Sequence, residues 1–363
     1  MRKNIRDVII AIIISRSFRI SEVGGEIAKM RGIKESWGYE FVERVIEKIP
    51  FECVKRFMIR MFDEGSEWVL ADTTEIEMKY VGKNHPYGGY LKYGKMKGIL
   101  VLTLGVLIGG RSKVFLVLPF STKILEDAGK GKFEWYVEVM EGLSQLLGGR
   151  IVVFDREFSN GVVFECFDKV GIKFLIRVKL GGNVRLVNGE GEDVREVMKG
   201  MRVGEVKVMR GVWCGGRVRV NLVIYKKGCS EPFVLATNSE PNEKMIEIYL
   251  TRMKIEQTFG DMKSQMGIEG MMVRDLGKVM KMVLLMNIGL NVGVIVGEKI
   301  REGMKETTKE KYSGITIFLY LVDDMTLEEN RISFDYREVK FLVLSLIFPK
   351  VGSHLFDGVR DWF

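Results

Sequence analysis

The chain is short of the residues on which most hydrolytic and zinc chemistry depends. It has two histidines, His85 and His354, and four cysteines, Cys53, Cys166, Cys214 and Cys229, with no Cys-x-x-Cys pair. A zinc site needs clustered Cys and His, and an activated serine or cysteine needs a basic partner, so neither class is expected and any metal must be held by oxygen. Scattered cysteines also argue against a disulfide framework and make a reducing compartment, the cytoplasm, the expectation. Long hydrophobic runs are scarce too. Val8 to Ile14 follows Arg2, Lys3 and Arg6, but is short and lacks a small-residue cleavage site, so it is not read as a signal peptide. Residues 282–297 are apolar but interrupted by Asn287 and Asn291, which favours a buried core helix over a membrane span. Glutamine is rare beside abundant Lys, Arg and Glu, a composition found in thermophiles.

What the chain does have is bulk and a mild positive charge. Its 363 residues are 47% hydrophobic and 29% charged, enough to exclude disorder and too long for the commonest single domain. The net charge of +8 favours a polyanionic partner.

Residues 1–66 read as helices. Turn-rich Ser21 to Gly25 precedes a stretch in which small Ala28, then Gly32 and Ile33, fits a DNA-reading helix-turn-helix as well as an ordinary helical bundle. From residue 67 the pattern changes to strands. Trp68 to Ala71 is an apolar run that reaches Asp72, and Gly98–Ile108 and Lys113–Leu118 form a hairpin signal. Helical spacing over 132–147 (Trp135, Val137, Met140, Leu143, Leu146) leads into Ile151 to Phe154 and then Asp155. A helix near 160–170 and a strand from Ile172 to Val178 follow. Three strands, helix, strand, helix, strand is the βββαβαβ order of the RNase H-like fold, an α/β mixed sheet that would set Asp72 beside Asp155. A lone aspartate after a strand is more often a cap or turn residue, so neither decides the matter alone.

Residues 179–238 alternate polar and apolar and read as an inserted antiparallel β domain. From Lys179 to Cys229 there are eleven Lys and Arg against five Asp and Glu, so much of the positive charge sits here. Such a basic sheet beside an acidic site suits a phosphate backbone. Residues 239–300 complete the core, and 301–363 form a C-terminal region without recognisable chemistry.

If 241–267 is helical, Tyr249, Arg252, Glu256 and Lys263 fall within a roughly 60° arc on one side of the helix. A carboxylate can hold a divalent cation while Arg, Lys and Tyr grip phosphate oxygens. A solvated salt-bridged helix, with Ile248, Met253, Ile255, Phe259 and Met262 turned to a core, is the competing reading.

Tyr-x2-Arg-x3-Glu-x6-Lys resembles the YREK signature of insertion-sequence transposases of the DDE type, and Tyr249, Arg252, Glu256 and Lys263 match it without a gap. The resemblance extends over about residues 68–265. Asp72-Thr73-Thr74 is similar to the family's first motif. Asp155-Arg156-Glu157-Phe158-Ser159 is similar to its second, with Glu157 where glycine is usual. The resemblance implies that Asp72, Asp155 and Glu256 bind two Mg²⁺ ions, with Mn²⁺ as a substitute, and catalyse strand cleavage at transposon ends and strand transfer into target DNA. It implies that Tyr249, Arg252 and Lys263 bind the DNA backbone and that the enzyme acts as a homodimer assembled on double-stranded DNA, away from membranes. Trp213 is a candidate to stack a flipped base; packing in a small β core is its other reading. An RNase H-like nuclease without strand transfer and a non-catalytic DNA-binding protein remain the alternatives.

Overall fold

The computed structural model describes residues 2–78, 85–91, 97–109, 111–180, 184–228, 232–270, 273, 275–302, 315, 316, 318, 319 and 322. In chain order the elements are α1 (Arg2–Ser15), α2 (Ile20–Arg31), α3 (Glu35–Lys48), α4 (Phe51–Phe62), β1 (Trp68–Glu77), β2 (Gly89–Tyr90), β3 (Lys97–Ile108), β4 (Arg111–Phe120), α5 (Thr122–Asp127), α6 (Lys132–Leu147) and β5 (Ile151–Phe154). Then come α7 (Gly161–Lys169), β6 (Lys173–Arg177), β7 (Leu186–Val187), α8 (Val194–Lys199), β8 (Val206–Cys214), β9 (Val218–Tyr225), β10 (Phe233–Thr237), α9 (Lys244–Thr251), α10 (Met253–Ser264) and α11 (Leu276–Glu302). These elements divide into two compact units. One gathers Met1–Glu64, Thr73–Ser121 and Gln257–Phe363; the other gathers Gly65–Asp72 and Thr122–Glu256. The division falls inside β1 and α10, and so differs from the expected boundaries at 67, 179 and 239.

In the first unit the glycines of the expected turn at 21–25 lie inside α2 instead. The reason is close packing: a Cβ on Gly38 would stand 2.1 Å from the Gly24 carbonyl oxygen, and one on Gly24 2.7 Å from the Tyr39 amide. Only glycine at both positions lets α2 and α3 approach this closely. Gly32, at φ 62°, ends α2 as expected, its amide reaching the carbonyls of Ala28 and Lys29. The exposed side chains of α3 include Glu35, Glu40 and Glu47 beside Arg44 and Lys48.

Also in this unit, β3 and β4 form the expected hairpin, with a bulge where Leu104 opposes Leu116 but Gly105 opposes Val114. The bulge skips Phe115 in the pairing, next to Val114. α11 binds the backbone there: the Asn291 carboxamide accepts from the Val114 amide at 3.0 Å, and the Asn287 and Asn291 side chains donate to the Val114 carbonyl at 2.8 and 2.6 Å. The Leu276–Glu298 segment is long and apolar enough to cross a membrane, yet 83% of its most apolar window is buried within the protein.

In the second unit seven strands run in the order β1-β5-β6-β10-β9-β8-β7. β1, β5 and β6 are parallel neighbours, and β6 to β10 to β9 to β8 to β7 are antiparallel. The stretch 179–238, expected as a separate inserted domain, instead extends this sheet. β10 pairs with β6 from Leu235 opposite Arg177 to Thr237 opposite Leu175, closing an edge that would otherwise lie open. Asn238 fastens the same edge, accepting from the Phe174 amide at 3.0 Å and donating to the Ile172 carbonyl at 3.0 Å. Tyr136, Phe154, Phe158, Phe164, Phe167 and Phe174 are fully buried together, with ring centroids 4.5 Å apart for Tyr136–Phe158 and 4.7 Å for Phe154–Phe158. Burying each ring contributes about 1.5–3 kcal/mol, so the end of β5 is firmly anchored. The region 301–363 lies outside the described residues except for Arg301, Glu302 and a few positions between 315 and 322.

Candidate active site

Three acidic residues from separate parts of the second unit converge on one arginine. Asp72 lies within β1, which continues to Glu77 rather than stopping at the aspartate. Asp155 follows β5 directly, held between the buried rings of Phe154 and Phe158. It precedes the single 3₁₀ turn Arg156–Phe158, but its side chain makes no capping hydrogen bond there, so the carboxylate is not spent on local structure. Glu256 is in the first turn of α10.

Arg252 stands at a tight turn between α9 and α10, where its amide bonds the Tyr249 carbonyl at 3.1 Å and its own carbonyl accepts from Ile255 at 2.9 Å. Buried positions recur at Met245, Tyr249, Arg252, Ile255, Phe259 and Met262, so Tyr249 and Arg252 lie on the buried stripe of the segment. Met253, expected in the core, falls off that stripe and is exposed. A solvated helix face is therefore not what this segment is.

The Arg252 guanidinium donates to Asp72 Oδ2 at 2.9 Å and to Glu256 Oε1 at 2.6 Å, and lies 3.7 Å from Asp155 Oδ1. Its side chain is 5% exposed, those of Asp72, Asp155 and Glu256 10%, 29% and 48%, so the group opens from a buried floor toward solvent. Burial opposes the arginine's charge, but Asp72, then Tyr249 and Asp155, outweigh it and raise its pKa above the ordinary value. The Tyr249 hydroxyl approaches Asp155 Oδ1 at 3.4 Å, a long hydrogen bond. Burial raises the phenol's pKa against the pull of Arg252, so it remains a neutral donor.

Among the described residues no three Asp, Glu, His or Cys side chains stand close enough to hold a metal ion by themselves. The donor set nonetheless suits a hard divalent cation, since all three groups are carboxylates aimed at one point. That point is filled here by a guanidinium whose Nε is buried without a hydrogen-bond partner.

Residues 66–292 match the family model described as the transposase DDE domain. The chain belongs to that family. No curated protein matches it. Seven chains of solved structures do. One is the cryo-EM structure of a piggyBac transposase synaptic complex with hairpin DNA, 14% identical, covering 95% of this chain and 76% of that one at a TM-score of 0.48.

In this transposase the remaining sequence candidates are more dispersed. Lys263 lies in the first unit, with Glu269 at 3.9 Å. Trp213 is on β8, exposed rather than packed in a core, facing Arg219 across the strand pair with the guanidinium 4.7 Å from the ring centroid. Glu157, where the signature usually has glycine, pairs with Lys132 at the start of α6.

One residue of the site escaped the sequence reading. Arg177 ends β6, and because Phe154 opposes Ile176, it is the next residue beside Asp155. It is half-buried over the Phe233 ring, 5.9 Å from its centroid, and pairs with no carboxylate among the described residues. Phe233 in turn lies 6.2 Å from the Tyr249 ring. The available signal was a cation ending the buried run Phe174 to Ile176.

Proposed function

We propose that this transposase cuts DNA at the ends of an insertion sequence and joins the freed 3′-hydroxyl to target DNA in the cytoplasm, acting as a DNA-assembled homodimer. The observation that carries the reading is the meeting of Asp72, Asp155 and Glu256, from three remote segments, around one buried cation. An RNase H-like core is part of the proposal, supported by β3 flanking β1 in one unit and by the parallel pairs β1–β5 and β5–β6 in the other.

Asp72, Asp155 and Glu256 would hold two divalent cations, Mg²⁺ or Mn²⁺. When bound, such ions supply Lewis acidity at phosphorus and make water or a hydroxyl a better nucleophile at neutral pH. The protein's own groups do the rest. Arg177, which pairs with no carboxylate among the described residues, takes a phosphate oxygen beside Asp155. Tyr249, kept neutral by burial, donates to the strand, and the ring pair Tyr249–Phe233 excludes water beneath it. Arg252 and Lys263 grip the strand backbone, and the exposed Trp213–Arg219 pair offers a flat cationic surface on which a base can stack.

The test is Asp72→Asn with pre-cut and uncut duplexes carrying the element's terminal sequence. Cleavage and joining are expected to be lost while duplex binding is kept. Cleavage surviving in the variant removes Asp72 from the catalytic set, and cutting without joining by the unaltered chain reduces the reading to a nuclease.

A further inference from the structure

We infer that Arg252 is a built-in placeholder cation, occupying the carboxylate centre in the DNA-free chain so that divalent ions bind only as it is displaced. This rests on the reading of Asp72, Asp155 and Glu256 as metal ligands.

Three carboxylates brought together repel one another, and the deepest of them, Asp72, has little access to water to relieve that repulsion. A single guanidinium touching all three holds them in a common arrangement without any metal. Arg252 does so with its two terminal nitrogens alone. Nε, the remaining donor of the fork, is buried with no partner. A guanidinium fixed purely for stability would have that donor satisfied. Its orphaned state marks a position held by the carboxylates and the Tyr249 ring, with the fork left incomplete, and one that the side chain leaves when a better set of acceptors arrives.

The oxygens that Arg252 occupies at 2.6 and 2.9 Å are the ones a divalent ion needs. Ion and guanidinium therefore compete. Once displaced, the guanidinium requires another anion, and the proposed reaction brings one, a phosphodiester. Through this one side chain, phosphate binding and metal binding favour each other, a coupling that is reciprocal by linkage. The consequence is a centre that charges with metal poorly away from DNA and readily upon it.

The experiment measures Mn²⁺ binding to the full chain without DNA, reading the free-ion electron paramagnetic resonance signal, for the unaltered protein, Arg252→Ala, Arg252→Gln and each combined with Asp72→Asn. Both arginine variants are expected to bind Mn²⁺ more tightly by about tenfold, within the usual range of coupling between sites. Adding Asp72→Asn removes the gain. Variants that bind no tighter than the unaltered chain, while Asp72→Asn weakens all of them, overturn the placeholder role and leave the metal reading standing. Absence of Mn²⁺ binding in every form overturns both. Should Arg252→Ala fold poorly, thermal midpoints decide with Arg252→Gln: Mn²⁺ raises its midpoint more than that of the unaltered chain, and equal rises overturn the inference.

Discussion

Asp72 and Arg252 lie 180 positions apart along the chain and 2.9 Å apart in space, both buried. A buried ion pair is a poor way to gain stability, because desolvating two charges offsets most of their attraction and an apolar pair of similar size does as well. The pair is better understood through the third and fourth members of the group. Asp155 and Glu256 add charge that no apolar replacement could organise, and the four together bring three remote segments of the second unit to one point through ionised groups.

Arg177 is expected to carry one phosphate contact. Arg177→Gln should make the dependence of log affinity on log salt shallower by about 0.9 for a duplex DNA of fixed sequence, the value for one phosphate released. Arg177→Lys should restore most of the slope, since it keeps the charge. An unchanged slope in the glutamine variant excludes Arg177 from the DNA surface.

Gly38 and Gly25 make a matched pair in the helical region. Gly38→Ala puts a methyl group 2.1 Å from a backbone oxygen of α2, so the helices must part, and a loss of about 1–3 kcal/mol is expected from overpacking. Gly25→Ala meets nothing within 4 Å and should stabilise the helix by about 0.5–1 kcal/mol. Denaturation midpoints of both variants, measured side by side, check the prediction; equal effects would contradict the close approach of α2 and α3.

Asp7 sets an acid limit on the same helices. Burial pushes its carboxyl upward, but hydrogen bonds from Arg31 and Arg6 together outweigh that and hold its pKa below the ordinary 3.8. A carboxyl lowered in the folded state contributes stability that is complete above the unfolded value and is lost as pH falls through the folded one. Asp7→Asn should therefore flatten the fall in stability below pH 3.8 and leave the neutral-to-alkaline slope unchanged. A parallel acid limb in the variant and the parent removes Asp7 as its source.

Much of this architecture was readable from periodicity. The span of α6 is visible because apolar residues recur at helical intervals, although of the stripe the spacing favours only Met140 is buried, beside Tyr136 and Leu147. Which side of a helix sinks deepest depends on how it rolls against its sheet, and that is not a local property. The same limit explains the inserted stretch. Alternation over β8 and β9 marks strands, but only pairing tells that β10 closes the edge of β6. At the site, Asp72 and Asp155 stood out because each interrupts or ends an apolar run. Arg177 did not, because its place beside Asp155 depends on the register of β5 against β6. Nor did the sequence tell that Arg252 joins the acidic residues, since an arginine four positions before a glutamate more often makes a simple helix-surface pair.

The contact between α11 and the bulge at Val114 bears on how the protein can be dissected. Val114's amide and carbonyl are bonded by side chains of a helix made more than 160 residues later, as the separations of 173 and 177 positions record. Hairpin and helix must then be assembled together. A fragment ending at Ser121 would lose these bonds to Val114 and expose the apolar surface that α11 covers, and it should be recovered as aggregate rather than as a free-standing N-terminal piece.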